Sequence, residues 1–102
     1  MVSTVDEPSM VFIARHDLKM SAGKLAVQCS HAAVSCTLNA RKTHARLVER
    51  WRNAGARKIC LRADDLATLQ RLAGQAQAAG LATYLVKDAG HTEVPPGTVT
   101  VL

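Results

Sequence analysis

Apolar and polar positions divide the chain into short continuous apolar runs and longer stretches with helical spacing. Runs of this length are typical of buried strands in α/β proteins. Four of them lie at residues 10–14, 58–61, 82–86 and 98–102. The helical stretches predict one helix over 21–40, a second over 43–54, and a third that Asp64 or Asp65 caps and Gly80 ends. The order β-α-α-β-α-β-β predicts a single α/β domain with a parallel or mixed sheet and helices on both faces.

The first predicted helix has an acceptable N-cap at Ser21 and carries two separate stripes of side chains. The apolar stripe is expected to face the core and consists of Leu25, Cys29, Ala32, Cys36 and Ala40. The polar stripe consists of Lys24, Gln28, His31 and Ser35. These four side chains share one face, which either points a cation, an amide and an imidazole into a cleft or is an ordinary solvated surface. Spacing alone favours the solvated surface.

Residues 88–98, between the last two predicted strands, hold the densest set of candidate functional groups. Pro95-Pro96-Gly97 predicts a rigid turn, because Pro fixes φ and Gly accepts the positive φ of a type II turn. A loop held by strands at both ends can keep Asp88 and Thr92 in fixed positions, as a catalytic or binding site requires. The alternatives are an Asx turn at Asp88 and an ordinary strand-region threonine at Thr92.

Composition narrows the classes of function. The 102 residues fit one domain, and a net charge of +5 either favours a polyanionic partner such as nucleic acid or is only a soluble surface charge. Three aromatic residues are too few for a platform that stacks single-stranded bases. Three cysteines without C-x-x-C spacing indicate reduced thiols, and no signal peptide or membrane span is seen, so the cytoplasm is the expected compartment. Phosphate-loop, dinucleotide, hydrolase-elbow and zinc-protease motifs are absent.

Two segments together resemble one family. Residues 17–34, DLKMSAGKLAVQCSHAAV, look like the first signature of the type 2 peptidyl-tRNA hydrolases of archaea and eukaryotes. Residues 88–98, DAGHTEVPPGT, look like their second signature, and the resemblance extends over residues 10–102. It implies a three-layer α/β/α domain with a four-stranded mixed sheet, preceded here by a disordered tail at residues 1–9.

The activity that this resemblance implies is hydrolysis of the ester between a peptide and the 3′ ribose of tRNA, a step of translation quality control that needs no metal or organic cofactor. The family's catalytic lysine, aspartate and threonine fall on Lys24, Asp88 and Thr92. Positions assigned to substrate binding fall on Gln28, His31 and Thr100. We hypothesise that Asp88 orients or deprotonates a water, that Thr92 relays a hydrogen bond, and that Lys24 stabilises the oxyanion or a nearby phosphate.

The chain departs from the family pattern at two places. Ala22 stands where a basic residue is common, and relatives continue beyond Leu102 through a Gly-Pro, so the C-terminal end of the family domain is expected to be missing. Two other functions remain open, a non-catalytic protein-binding adaptor and a tRNA-binding module. Small residues on the helices would permit a homodimer without requiring one. Some members of a set of basic residues could contact tRNA, while at least half are expected to be solvated helix surface. The set consists of Arg41, Lys42, Arg46, Arg50, Arg52, Arg57 and Lys58.

Overall fold

The computed structural model describes residues 7–87 and 99–101, which form three helices and four strands. In chain order the elements are β1 (Met10–Arg15), α1 (Ala22–Thr43), α2 (Ala45–Asn53), β2 (Lys58–Ala63), α3 (Leu66–Ala78), β3 (Val86–Lys87) and β4 (Val99–Val101). The α/β class predicted from the alternation of apolar runs and helical stretches is confirmed.

The strands lie side by side in the order β2-β1-β4-β3. The long pair is β1 and β2, which run parallel from Met10↔Lys58 to Arg15↔Ala63. The short strand β4 is antiparallel to β1, through Ala14↔Val101, and antiparallel to β3. The parallel pair requires a crossover connection, and α1 and α2 supply it.

One face of the sheet holds the principal core. Phe12 and Ala14 alternate along β1 toward α1, where they pack with Ala32, and the same cluster contains Val86 and Val101 of the two short strands. The small residue on α1 allows the helix to approach the sheet closely, as the alanine-rich stripe predicts. A second buried group lies outside this cluster, where α3 packs against β1 and β2 through the fully buried Leu69 and through Ala73.

The helix starts follow the sequence signals. The Ser21 hydroxyl oxygen accepts a hydrogen bond from the Lys24 backbone N–H at 3.1 Å, and the Asp65 carboxylate accepts one from the Thr68 backbone N–H at 2.7 Å. Both bonds satisfy a donor that has no partner inside its own helix. Asp65, rather than Asp64, is therefore the cap of α3.

The single residue His44 separates α1 from α2. Its backbone N–H donates to the Ala40 carbonyl at 2.6 Å, and its ring Nε2 lies 3.1 Å from the carbonyl oxygen of Gly80. Gly80 has a φ of 77°, which ends α3 as predicted. The imidazole thus ties the junction of α1 and α2 to the C-terminal end of α3.

The third strand is shorter than predicted and begins later in the chain. The apolar run predicts a strand over 82–86, but residues 81–85 are not in a strand and β3 consists of Val86 and Lys87. A strand needs a paired neighbour, and the described part of β4 offers partners only for these two residues, Val101 and Val99. Among the described residues, no helix is long and apolar enough to cross a membrane.

Candidate active site

Lys24 and Gln28 lie one helical turn apart on α1 and are buried. Their side chains are 9% and 2% exposed, although both are strongly polar. The interpretation of the polar stripe as a solvated surface is therefore wrong for these two positions. His31, the next member of the stripe, is exposed, and Ser35 is half-buried. The structure thus brings the first two members together in the interior and leaves the imidazole at the surface.

Both buried residues take part in polar interactions. Among residues 7–87 and 99–101, no buried side-chain nitrogen or oxygen lacks a hydrogen-bond partner. This satisfaction is needed because a buried ammonium or amide without partners costs several kcal/mol. Lys24 is consequently a held cation in a poorly hydrated position, where its field acts more strongly than at the surface.

The ends of several elements meet close to Lys24. β4 is antiparallel to β1, so the first residue of β4, Val99, lies near the last residue of β1, Arg15. The Arg15 guanidinium donates a hydrogen bond to the Val99 carbonyl at 3.2 Å, which fixes this neighbourhood. A connection of six residues then leads from β1 to the first turn of α1, which contains Lys24. Arg15 and Val99 thus mark one edge of the sheet, and the connection from this edge leads to the turn of α1 that carries Lys24.

Arg15 also forms a two-pronged ion pair with Asp17. Its Nη2 and Nε atoms donate to the two carboxylate oxygens at 2.6 and 3.1 Å. The hydrogen bond lowers the pKa of Asp17 and raises that of Arg15. Asp17 therefore stays ionised and Arg15 stays oriented toward Val99. Sequence reasoning missed Arg15, because its contact with Val99 joins residues 84 positions apart.

A cleft of about 610 Å³ opens at the same edge. Basic side chains around it come from the ends of β1 and β2 and from the connection between β1 and α1, namely Arg15, His16, Lys19 and Arg62. Apolar side chains, including Met20 and Leu25, complete its wall. A cleft with an apolar wall and a cationic rim can hold an anionic group attached to a less polar one. The sequence did not single out these basic residues.

Three predicted site residues lie wholly or partly outside the residues that the structure describes. Asp88 and Thr92 lie outside the described residues, and so does the side chain of Thr100, whose backbone belongs to β4. The described residues that flank the segment 88–98 are Lys87 and Val99, and they pair with each other in the sheet. The two described residues on either side of the segment therefore lie next to each other in the sheet.

The basic set expected to contact tRNA is exposed throughout, but it belongs to another part of the molecule. Arg41 lies about 26 Å along the α1 axis from Lys24, at 1.5 Å per residue. Near β2, the Lys58 ammonium lies 5.2 Å from the centre of the Trp51 ring and donates to the Ala56 carbonyl at 3.0 Å. Lys58 is thus an exposed residue with local contacts to Trp51 and Ala56.

The fold and the site define a small α/β protein with a buried lysine on its first helix and a basic cleft at the end of its sheet. Residues 8–102 match the model of the family described as peptidyl-tRNA hydrolase PTH2. The chain belongs to this family, and the resemblance seen in its two signatures is confirmed.

Curated relatives come from eukaryotes and archaea. The chain is 42% identical over 96 residues to "Peptidyl-tRNA hydrolase 2, mitochondrial" of Bos taurus, an alignment that covers 94% of this chain and 54% of the relative. It is 42% identical over 92 residues to "Peptidyl-tRNA hydrolase" of Thermococcus sibiricus, covering 90% of this chain and 78% of the relative. A "Probable peptidyl-tRNA hydrolase 2" of Schizosaccharomyces pombe is 43% identical over 96 residues, with 94% and 47% covered. The chain thus spans about half the length of these eukaryotic relatives.

Proposed function

We propose that the protein hydrolyses the ester that joins a peptide to the 3′ ribose of tRNA. The observation that carries this proposal is the burial of Lys24 and Gln28 on α1, in a chain of this family. A basic cleft, whose wall includes the next residue of α1, Leu25, supports it. The relatives' names, which include peptidyl-tRNA hydrolases of both archaea and eukaryotes, support it. The reaction would return tRNA and peptide from peptidyl-tRNA that left the ribosome early.

Lys24 supplies the positive charge in the proposed mechanism. Attack of water on the ester carbonyl creates an oxyanion, and a fixed cation in a poorly hydrated site stabilises that charge at little reorganisation cost. The burial of Lys24 and the hydrogen bond of its backbone N–H to Ser21 hold the residue at the start of α1. Lys24 is therefore assigned to the oxyanion or to the adjacent phosphate.

Asp88 and Thr92 are assigned to the water. Asp88 orients or deprotonates it, and Thr92 relays a hydrogen bond between them. Support comes from Lys87 and Val99, whose pairing brings the chain on either side of segment 88–98 back to one place in the sheet. An aspartate of ordinary pKa is a weak base at neutral pH, so positioning of the water carries more of the effect than proton transfer.

The substrate is assigned to two surfaces. Phosphates next to the ester would bind the rim of the cleft at Lys19 and Arg62, and Gln28, His31 and Thr100 would contact the end of the tRNA or the peptide. The exposed arginines of α2 would meet phosphates farther along the tRNA, because a nucleic acid of that size extends over tens of ångströms.

The finer arrangement of the domain is part of the same proposal. We assign residues 10–102 to a three-layer α/β/α domain with a four-stranded mixed sheet, preceded by a tail over residues 1–9. The support is the mixed pairing of the described strands and the separate packing of α1 and α3. We assign the reaction to the cytoplasm, although some relatives are named as mitochondrial. Pairing of two copies is compatible with the small-residue faces.

The test is release of peptide from a tRNA that carries an N-acetylated amino acid, measured with purified protein. Unblocked aminoacyl-tRNA serves as the comparison substrate, because a peptidyl-tRNA hydrolase must spare it. Multiple turnovers on the blocked substrate with little release from the unblocked one are expected. Binding of both tRNAs by folded protein without release of either would instead favour a tRNA-binding module.

A further inference from the structure

Two of the three cysteines lie on the same side of the sheet around one core residue. Cys29 of α1 packs against the core cluster that contains Phe12. Cys60 of β2 pairs in register with Phe12, so its side chain points to the face that α1 covers. Although the two residues belong to different elements, the parallel pairing of β1 and β2 places Cys60 beside the core cluster that Cys29 contacts. Both thiols are free in this structure.

The environments of the two thiols differ. Cys29 is half-buried, and its burial together with the nearby Cys60 thiol raises its pKa to about 11. Cys60 is exposed and lines the basic cleft beside Arg62. The exposed thiol is therefore open to a small reagent from the cleft, while the half-buried one is held next to it.

We propose that Cys29 and Cys60 form a dithiol that a hydroperoxide oxidises reversibly to an intramolecular disulfide. Hydrogen peroxide transfers one oxygen to the Cys60 sulfur, which becomes a sulfenic acid, and its other oxygen leaves as water. The Cys29 sulfur then attacks the Cys60 sulfur, its proton leaves with the departing hydroxide as a second water, and the S–S bond forms. In total, two thiols and one peroxide yield one disulfide and two waters.

Cys36 provides an internal control. It is half-buried in α1 almost two turns beyond Cys29, and its sulfur lies 3.9 Å from the Ala82 carbonyl, away from β2. The disulfide would join α1 directly to the edge strand of the sheet and would close a loop that contains the whole of α2. Because Cys29 follows Gln28 in the chain, the bond would also fix the part of α1 that carries the buried polar pair. A cross-link of this kind raises the temperature of unfolding by restricting the unfolded chain.

The experiment treats reduced protein with a stoichiometric amount of hydrogen peroxide and then blocks the remaining thiols with iodoacetamide. Trypsin leaves Cys29 and Cys36 in one peptide, residues 25–41, and Cys60 in another, residues 59–62. The Cys36→Ser variant therefore makes the assignment unambiguous, because it contains only the proposed pair. Cys29→Ser, which retains Cys36 and Cys60, is the matched control. Cys60→Ser alters an exposed position and guards against a misfolded Cys29 variant, and circular dichroism verifies each fold.

The expected result is a cross-linked pair of these peptides in wild type and Cys36→Ser, with a loss of two hydrogen atoms per chain. The link should disappear on treatment with dithiothreitol, and Cys29→Ser and Cys60→Ser should not form it. The oxidised Cys36→Ser protein should unfold at a higher temperature than its reduced form. The proposal is overturned if folded Cys36→Ser gives only separately oxidised cysteines or only bonds between chains. It is equally overturned if Cys29→Ser forms an internal disulfide with the same yield.

Discussion

The central residue of the account is a lysine that the fold keeps almost out of water. Lys24 is 9% exposed and stands in the first turn of α1, where the helix dipole also opposes a positive charge. Both conditions disfavour a lysine at this position, so packing alone does not account for it. A cation placed at this cost fits a role in stabilising negative charge during a reaction.

Replacement of Lys24 by methionine tests this role. Met keeps the length of the stem and removes the charge, so we expect the chain to fold and kcat for peptide release to fall about 100-fold or more. Arg71→Met on α3 removes an exposed cation outside the site and should leave kcat unchanged. If folded Lys24→Met turned over substrate at the wild-type rate, the charge of Lys24 would not contribute to the reaction.

At the scale of elements, helix caps and buried contacts decide how firmly the site is supported. α3 packs against β1 and β2, the two strands whose ends form the cleft. Its start depends on the Asp65 carboxylate, and its contact with the sheet depends on Leu69, which is 0% exposed. Loss of either should weaken the sheet from the side opposite α1.

The cap of α3 should make stability depend on acid. The hydrogen bond from the Thr68 backbone N–H lowers the pKa of Asp65 below its ordinary value. A lowered pKa in the folded state stabilises the protein above the unfolded pKa of about 3.9, and this contribution disappears as the pH falls through the folded value. Asp65→Ala should therefore lower the unfolding temperature at pH 7, and the difference from wild type should shrink as the pH falls below the unfolded pKa of Asp65. Asp64→Ala removes a neighbouring charge without the cap bond and should have the smaller effect at pH 7.

Leu69→Ala should be among the most damaging substitutions in α3. Removing a fully buried leucine side chain leaves a cavity, and the free energy of unfolding should fall by about 2–5 kcal/mol in urea titrations. Leu38→Ala, on an α1 position that is 53% exposed, is the matched control and should change it by about 0.5 kcal/mol or less. Equal effects of the two substitutions would contradict the burial of α3 described here.

At the scale of the whole molecule, positive charge lies at two separated places, the rim of the cleft and the far end of α1 with α2. Phosphate contacts release counterions, so affinity for tRNA should fall steeply as salt rises. The double variant Lys19→Gln and Arg62→Gln should bind tRNA more weakly and reduce the slope of log affinity against log salt by about 1–2. Filter binding over a salt series measures this, with Arg71→Gln as the control. An unchanged slope would show that Lys19 and Arg62 do not contact the phosphates of tRNA.

Features that depend on neighbouring residues could be predicted from the sequence, and features that depend on the packing of distant elements could not. Local signals predicted the cap at Ser21 and narrowed the cap of α3 to Asp64 or Asp65, because a cap depends on a few neighbouring residues. Burial of Lys24 and Gln28 could not be predicted from spacing, since it depends on where α1 lies on the sheet. The contact of Arg15 with Val99 depends on strands far apart in the chain. The segment with Asp88 and Thr92 was recognised from its resemblance to the family, and its placement lies outside the described residues.

Peptide release from N-acetylated aminoacyl-tRNA, measured for wild type and for Asp88→Asn, tests whether the protein is a hydrolase that uses Asp88 on the attacking water. Asparagine keeps the shape of the side chain but cannot orient or deprotonate water as a carboxylate does. The account predicts turnover by the wild type and a loss of about 100-fold or more in a variant that unfolds at the same temperature and binds tRNA equally well. Equal turnover by the two proteins, or none by folded wild type, would contradict it.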